Sequence, residues 1–205
     1  MLVLHAHPFS SYVQKVTIAF YESGTPFEWR KLEGPADFET LKRLWPIGLM
    51  PVLVDGDSAL AESSIIIEHA APRLVPSLDV RFLDRFFDNY VMMPMTRIVG
   101  DFLRKAEDRD PVTVSEAKAR LDVSYRWIEE KLAGRKWAAG EGFTLADCAA
   151  APSLFYADWV HPIAEEFRDT RAYRARLLAH PSVKRCVDEA RPYRDHFPPG
   201  APDRD

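Results

Sequence analysis

Two adjacent hydroxyl side chains, Ser10 and Ser11, stand where a short apolar run changes into a helical pattern. The run LVLH at residues 2–5 is typical of a strand, and the apolar residues after Ser11 recur at helical spacing, with Gln14 and Lys15 on the opposite side. A serine at a helix N-terminus can cap free backbone N–H groups, or it can contact an anion held at the positive end of the helix dipole. One serine of this pair can cap the helix while its neighbour faces a ligand.

A second candidate site opens another helix at Glu62 and Ser63, which Ser64 follows. A structural N-cap here contributes about 1 kcal/mol. The same helix N-terminus, with a hydroxyl beside it, can also seat a ligand carboxylate. Glu62 would then meet a ligand ammonium, and a γ-glutamyl group carries both charges. Again one serine can cap while the other binds.

A third candidate is Pro51, which lies between Met50 and the apolar run VLV. Only about 5–6% of X–Pro bonds in folded proteins are cis, so an ordinary trans proline at the start of a strand is one interpretation. The predicted elements around this proline, β-α-β-α before it and β-β-α after it, resemble the order in thioredoxin-like folds. A cis-proline at this position in those folds exposes the backbone of the preceding residue to a peptide-like ligand. We therefore predict a cis bond that presents the main chain of Met50.

The elements that position these residues follow a β-α-β-α-β-β-α order over the first 75 residues. A right-handed crossover in the first β-α-β unit requires its two strands to be parallel. Gly24 is predicted to end the first helix, and a hairpin turn is predicted further along the chain. The segments concerned are 2–5, 11–24, 27–33, 35–45, 51–62 with Asp55-Gly56-Asp57 at the turn, and a helix after Glu62 that ends at Pro72.

Beyond Pro76 only helical patterns continue. The segment 81–103 predicts a long helix kinked at Pro94, and a further helix ends at Gly134. The segment 143–160 is apolar around its whole circumference, which favours a central helix. Thr144 and Asp147 match a capping box at its start, and we interpret this pair as structural. The proline-rich tail from Phe197 is expected to be loose.

Composition narrows the classes of protein. The chain has 205 residues, of which 47% are hydrophobic and 28% charged, and its net charge is −4. These values predict a globular protein without a basic surface for nucleic acid. Cys148 and Cys186 form neither a CxxC motif nor a Cys/His cluster, so no metal site is expected. The apolar N-terminal run is too short for a signal peptide or a membrane span, which favours the cytoplasm and argues against a membrane partner.

Taken together, the motifs resemble the cytosolic glutathione transferases over nearly the whole chain. The position of Ser10 is similar to that in the serine-type classes such as theta, zeta and tau. The resemblance implies an α/β thioredoxin-like N-terminal domain over residues 1–75, an all-α helical domain over 82–205, and a homodimer. The motifs that carry it are S10-S11, M50-P51-V52-L53, E62-S63 and F143-T144-L145-A146-D147.

The resemblance also implies a site and a reaction. Ser10, with Ser11 as its competitor, would stabilise the thiolate of glutathione, the co-substrate, for attack on a small hydrophobic electrophile. Met50 and Pro51 would hold the backbone of the tripeptide, and Glu62 and Ser63 its γ-glutamyl end. The residues implied for the wall of the electrophile site are Tyr90, Met93, Arg97, Tyr156 and Trp159.

One position departs from the family pattern. Many relatives carry Lys or Gln where this chain has Leu49, so we assign the glycyl carboxylate to Lys42 or leave it unheld. A binding protein that has lost efficient chemistry is therefore one alternative. A zeta-type isomerase that returns its glutathione is another, although the SSCSWR-type signature of that class is absent. Residues 10–13 contain no cysteine, which argues against disulfide reduction by this site.

Overall fold

The computed structural model describes residues 1–205. Four strands form one mixed sheet in the order β2-β1-β3-β4. β1 pairs in parallel with β2 and antiparallel with β3, and β3 and β4 form an antiparallel hairpin. The predicted order of elements and the parallel first unit are confirmed. The strands are β1 (Leu2–Ala6), β2 (Phe27–Lys31), β3 (Val52–Asp55) and β4 (Ser58–Ala61).

Three helices accompany the sheet: α1 (Ser11–Ser23), α2 (Pro35–Leu44) and α3 (Ser63–Ala70). The first of them ends as predicted at Gly24, which has a φ of 67°. The backbone N–H of this glycine donates to the carbonyls of α1's last turn, a conformation that glycine adopts without a Cβ clash. The sheet and its helices form a thioredoxin-like domain, and a helical domain follows it.

The helical domain begins with one long, interrupted helix. Its parts are α4 (Leu78–Phe86), a π-helical segment (Phe87–Met92) and α5 (Met93–Phe102). Pro94 has no N–H to donate to the carbonyl of Tyr90, four residues earlier, and the hydroxyl of Ser124 donates to that carbonyl instead at 2.7 Å. A wider π-helical turn thus lies just before Pro94, the residue at which the sequence predicted a kink.

Four further helices complete this domain, and α7 lies at their centre. Residues 145–158 are all buried, as the apolar pattern predicted. The carboxylate of Asp147 accepts the backbone N–H groups of Thr144 and Ala138, both at 2.9 Å, and the hydroxyl of Tyr173 at 2.6 Å. The structural interpretation of this pair is confirmed. The helices are α6 (Pro111–Leu132), α7 (Leu145–Val160), α8 (Arg168–Ala179) and α9 (Pro181–Ala190).

The C-terminal tail does not match the prediction. Phe197 is only 6% exposed and its ring lies against Trp159, with 5.0 Å between the ring centroids. Arg204 forms an ion pair with Asp158 near the end of α7, and its Nη2 donates to the carbonyl of the same residue at 2.8 Å. The expectation of a loose tail is wrong because the tail finds its partners on a helix about 40 residues earlier. None of the helices is both long enough and apolar enough to cross a membrane.

Candidate functional site

Ser10 forms the N-cap of α1, in an extended conformation with φ −76° and ψ 126°. Its backbone is held by the turn before it, since its N–H donates to the carbonyl of His7 at 3.0 Å. Its carbonyl accepts the N–H of Gln14 at 2.9 Å. Its hydroxyl makes no capping hydrogen bond, contrary to the expectation that the serine pair supplies a side-chain cap. That hydroxyl is therefore available to a ligand at the positive end of the helix.

A cleft of about 220 Å³ opens beside both serines. Of the predicted electrophile-site residues, Tyr156 lines it. The phenol of Tyr156 accepts from the amide of Gln14 at 2.8 Å and donates to the carbonyl of Phe9 at 3.2 Å. Burial raises the pKa of Tyr156, so its hydroxyl stays neutral where this side chain lines the cleft. The cleft is lined by Phe9, Ser10, Ser11, Met95, Thr96, Val99, Tyr156, His196, Phe197 and Pro198.

The other predicted wall residues lie elsewhere. Tyr90, Met93 and Arg97 line a separate groove of about 680 Å³, whose other wall is formed by α6. Trp159 lines a narrow crevice with Arg194, beyond Tyr156. The cause is helical geometry: Met93 and Arg97 share one face of α5, and a different face is turned to the cleft.

That cleft-facing side carries residues that the sequence analysis missed. Met95 and Val99 are four residues apart, and with Thr96 they form the i, i+3/i+4 pattern of one helix face. This spacing was visible in the sequence, but nothing local distinguished the face toward the cleft from the face toward α6. Phe197 was missed because the tail that begins with it was expected to be loose, and its neighbour His196 carried no local signal of a site.

The Met50–Pro51 bond is cis, as predicted. Pro51 is buried at the start of β3. The side chain of Lys42 packs closely against Gly48 in the loop before Pro51. A Cβ placed on Gly48 would lie only 3.2 Å from the Cγ of that lysine. Leu49 points outward with 65% of its surface exposed. Lys42 is thus the cationic side chain that packs on this loop.

Glu62 is the single non-glycine residue with a positive φ, at 70°. Such a conformation is strained for a residue with a Cβ, and strained residues cluster at ligand-binding positions. It places Glu62 at the surface while Ser63, the first residue of α3, is 5% exposed. Glu62 caps α3 without a side-chain hydrogen bond, so the predicted serine cap is absent here too.

Beneath α3 lies a buried polar network centred on Ser64. Its hydroxyl accepts from Lys15 Nζ at 2.9 Å and from Arg85 Nη1 at 3.0 Å, and it donates to Asp84 Oδ2 at 2.7 Å. Lys15 has no exposed surface, and its Nζ lies 2.5 Å from Asp84 and 2.7 Å from Asp88. The network therefore ties α1, α3 and the start of the helical domain together.

This network corrects the prediction for α1. Gln14 and Lys15 were expected on a polar side, but both are buried because the helix packs against α3, α7 and α9. Burial raises the pKa of Asp88, and Lys15 opposes that rise. Burial, with the nearby carboxylates, also raises the pKa of Tyr12 to about 12. Tyr12 thus remains protonated near neutral pH.

Comparison with family models agrees with this geometry. Residues 4–73 match the model for the glutathione S-transferase N-terminal domain, and residues 87–181 match the model for the C-terminal domain. This chain belongs to the glutathione S-transferase family. Residues 1–205 include no group of three or more His, Cys, Asp or Glu side chains that could hold a metal ion.

Curated relatives of this chain carry several names. A stringent starvation protein A homolog from Haemophilus influenzae is 28% identical, with 94% of this chain and 92% of the relative covered. A probable maleylacetoacetate isomerase from Vibrio cholerae is 25% identical, with 93% and 97% covered. A glutathione S-transferase structure from Methylobacillus flagellatus KT, with glutathione bound, superposes with a TM-score of 0.82 at 23% identity, covering 91% of this chain and 98% of that one. Relatives of this chain thus carry different names, and its fold is shared with a solved glutathione S-transferase structure.

The turn that holds Ser10 depends on an unprotonated ring nitrogen. His7 Nδ1 accepts the backbone N–H of Phe9 at 3.2 Å. Burial, helped by His196, lowers the pKa of His7 below its usual 6.5, while Glu33 opposes and Lys31 adds to the shift. The folded state therefore binds fewer protons than the unfolded state as pH falls through about 6.5.

We expect the free energy of unfolding to decrease between pH 7.5 and pH 5.5, and His7→Asn to make that decrease smaller. Urea denaturation at several pH values measures both slopes. His69→Asn, which replaces an exposed histidine paired with Asp55, is the matched control. Equal pH slopes for the wild type and His7→Asn would contradict the prediction.

Proposed function

We propose that this transferase binds glutathione and activates its thiol for attack on a small hydrophobic electrophile. The observation that carries the proposal is the uncommitted Ser10 hydroxyl at the N-terminus of α1, beside the cleft. Residues 1–75 hold glutathione, and residues 82–205 supply the wall around the electrophile. The cleft of about 220 Å³ is smaller than the roughly 300–1,000 Å³ of drug-sized ligand sites, which favours a small electrophile.

The energetics of thiol activation are sufficient. Lowering a thiol pKa from about 8.5 by two units requires roughly 2.7 kcal/mol of preference for the thiolate. A hydrogen bond to a charged group contributes roughly 1.5–3 kcal/mol. The helix N-terminus adds about 0.3–1 kcal/mol, and up to about 2 when partly buried. Ser10 therefore donates to the thiolate rather than removing its proton, and Ser11 is the alternative donor.

The remaining parts of glutathione bind along the residues between the loop before β3 and the start of α3. The main chain of Met50, exposed by cis-Pro51, pairs with the tripeptide backbone. Ser63 and the first N–H groups of α3 receive the γ-glutamyl carboxylate, while Glu62 faces the ammonium. Lys42 holds the glycyl carboxylate, because Leu49 occupies the position where many relatives carry Lys or Gln. The transferase acts in the cytoplasm as a homodimer, with a second copy covering the exposed Tyr90 and Met93.

Calorimetric titration with glutathione tests the proposal. We expect the wild type to bind, and Ser63→Ala to weaken binding about tenfold because one hydrogen bond to a charged group is lost. Ser58→Ala, which changes an exposed serine on β4, is the matched control and keeps the wild-type affinity. No binding at millimolar glutathione would contradict the proposal.

The second candidate is a binding protein without efficient turnover. The exposed Leu49 favours it, because a family position that can hold a ligand carboxylate has no polar group here. The similarity to a stringent starvation protein A homolog supports it too. Turnover separates the two candidates: glutathione binding without conjugation of an activated electrophile would favour the binding protein.

A further inference from the structure

His196 is a polar side chain of the cleft that glutathione activation does not use. Two of the side chains that line the cleft can ionise, Tyr156 and His196. The hydroxyl of Tyr156 is buried and already donates to a backbone carbonyl. His196 is exposed, and its imidazole carries an N–H donor in both its neutral and its charged form. His196 therefore presents a free ring N–H donor to the cleft.

The position of His196 is set by aromatic contacts on both sides of it. Tyr193 meets the ring of His7 edge-on, with 4.6 Å between the centroids, and Phe197 stacks on Tyr156 at 5.9 Å. Phe197 also lies 6.5 Å from Phe9, the residue before Ser10. Segment 193–197 is thus pinned to the same turn that presents the serine. The packing of its neighbours consequently holds His196 at the cleft.

Its ring neighbours leave its own nitrogens available. The centroid of His196 lies 6.1 Å from that of His7 and 5.8 Å from that of Tyr193. His7 Nδ1 is already occupied by the N–H of Phe9. A substrate oxygen in the cleft can therefore accept the N–H of His196 without displacing a protein partner.

We propose that His196 donates a hydrogen bond to a carbonyl oxygen of the electrophile, so that the site favours α,β-unsaturated carbonyl compounds over alkyl halides. This inference rests on the proposed thiol activation. The thiolate sulfur bonds to the β-carbon, and the π pair of the C=C bond shifts to give an enolate whose charge lies on the oxygen. Water then protonates the α-carbon. A donor placed at that oxygen stabilises charge that develops in the transition state.

The reaction of an alkyl halide does not require a hydrogen-bond donor for an enolate oxygen. In a displacement on benzyl chloride the sulfur bonds to the benzylic carbon, and the C–Cl electron pair leaves with chloride. No carbonyl oxygen gains charge, so the N–H of His196 has no oxyanion to stabilise. Comparing an enone with benzyl chloride therefore distinguishes a hydrogen-bonding role of His196 from a general effect of this residue on the shape of the cleft.

Steady-state kinetics with glutathione and either but-3-en-2-one or benzyl chloride test the inference. We expect His196→Leu to lower kcat/KM for the enone by about ten- to a hundredfold, with benzyl chloride little changed. His196→Gln retains an N–H donor and should restore most of the enone rate. His69→Leu, at an exposed histidine outside the cleft, is the control.

The outcomes distinguish the inference from the proposed function. Equal losses with both electrophiles, or no loss with either, would overturn the role of His196 while leaving thiol activation intact. Failure of His196→Gln to recover more activity than His196→Leu would also overturn it. A folded wild type that binds no glutathione and turns over neither substrate contradicts the proposed function itself.

Discussion

Lys15→Met lowers the free energy of unfolding by about 3–5 kcal/mol, the cost typical of removing one partner from a buried ion pair. Methionine keeps most of the length and apolar volume of lysine but removes the ammonium. Asp84 and Asp88 are then left buried beside each other, and the half-exposed Arg85 is the remaining cation of the network. Two desolvated carboxylates with reduced compensation are strongly unfavourable.

Urea denaturation measures the effect, and the chain offers a matched control. Lys184→Met removes a lysine that pairs with Asp188 at i, i+4 on the exposed face of α9. Exposed pairs of this kind contribute about 0.3–0.5 kcal/mol. A loss below about 1 kcal/mol for Lys15→Met would contradict the expected role of the buried network.

The same variant has a predictable dependence on pH. Lys15 opposes the rise that burial causes in the pKa of Asp88, so without Lys15 that pKa rises further in the folded state. A raised carboxyl pKa means that the folded state takes up protons at higher pH than the unfolded state. The deficit of Lys15→Met relative to wild type should therefore be larger at pH 8 than at pH 5. An equal deficit at both values would contradict this prediction, because it would mean that the buried carboxylates stay ionised in the folded variant over the whole range.

Ser10→Ala lowers kcat/KM for conjugation by about ten- to a hundredfold, because the thiolate loses a charge-assisted hydrogen bond of roughly 1.5–3 kcal/mol. The pKa of bound glutathione should rise by about one to two units for the same reason. The thiolate absorbance of the complex, titrated against pH, measures this shift. Glutathione affinity at low pH, where the thiol is neutral in both proteins, should change little.

Ser11→Ala is the matched control, because it removes a neighbouring hydroxyl in the first turn of α1. We expect it to keep the thiol pKa and turnover close to those of the wild type. The opposite pattern, with loss in Ser11→Ala and normal activity in Ser10→Ala, would transfer the role to Ser11. Loss of affinity with an unchanged thiol pKa in Ser10→Ala would make the serine a binding group.

Features that depend on a few neighbouring residues were predictable from the sequence. The order of strands and helices follows from apolar periodicity, and the end of α1 follows from Gly24 and its positive φ. The cap of α7 follows from Thr144 and Asp147, since a buried helix start must supply its own acceptor. The cis bond at Pro51 followed from its place in the order of elements.

Features that depend on distant partners were decided only by the tertiary structure. Periodicity identified Lys15 as polar, but its burial results from contacts with residues 49 to 73 positions away. The choice between the two faces of α5 depends on how that helix packs against α6 and α7. His196 reaches the cleft because Phe197 and Tyr193 find rings more than 40 positions earlier in the chain. Local sequence determines which backbone conformation forms, whereas long-range packing determines which side chains share one cleft.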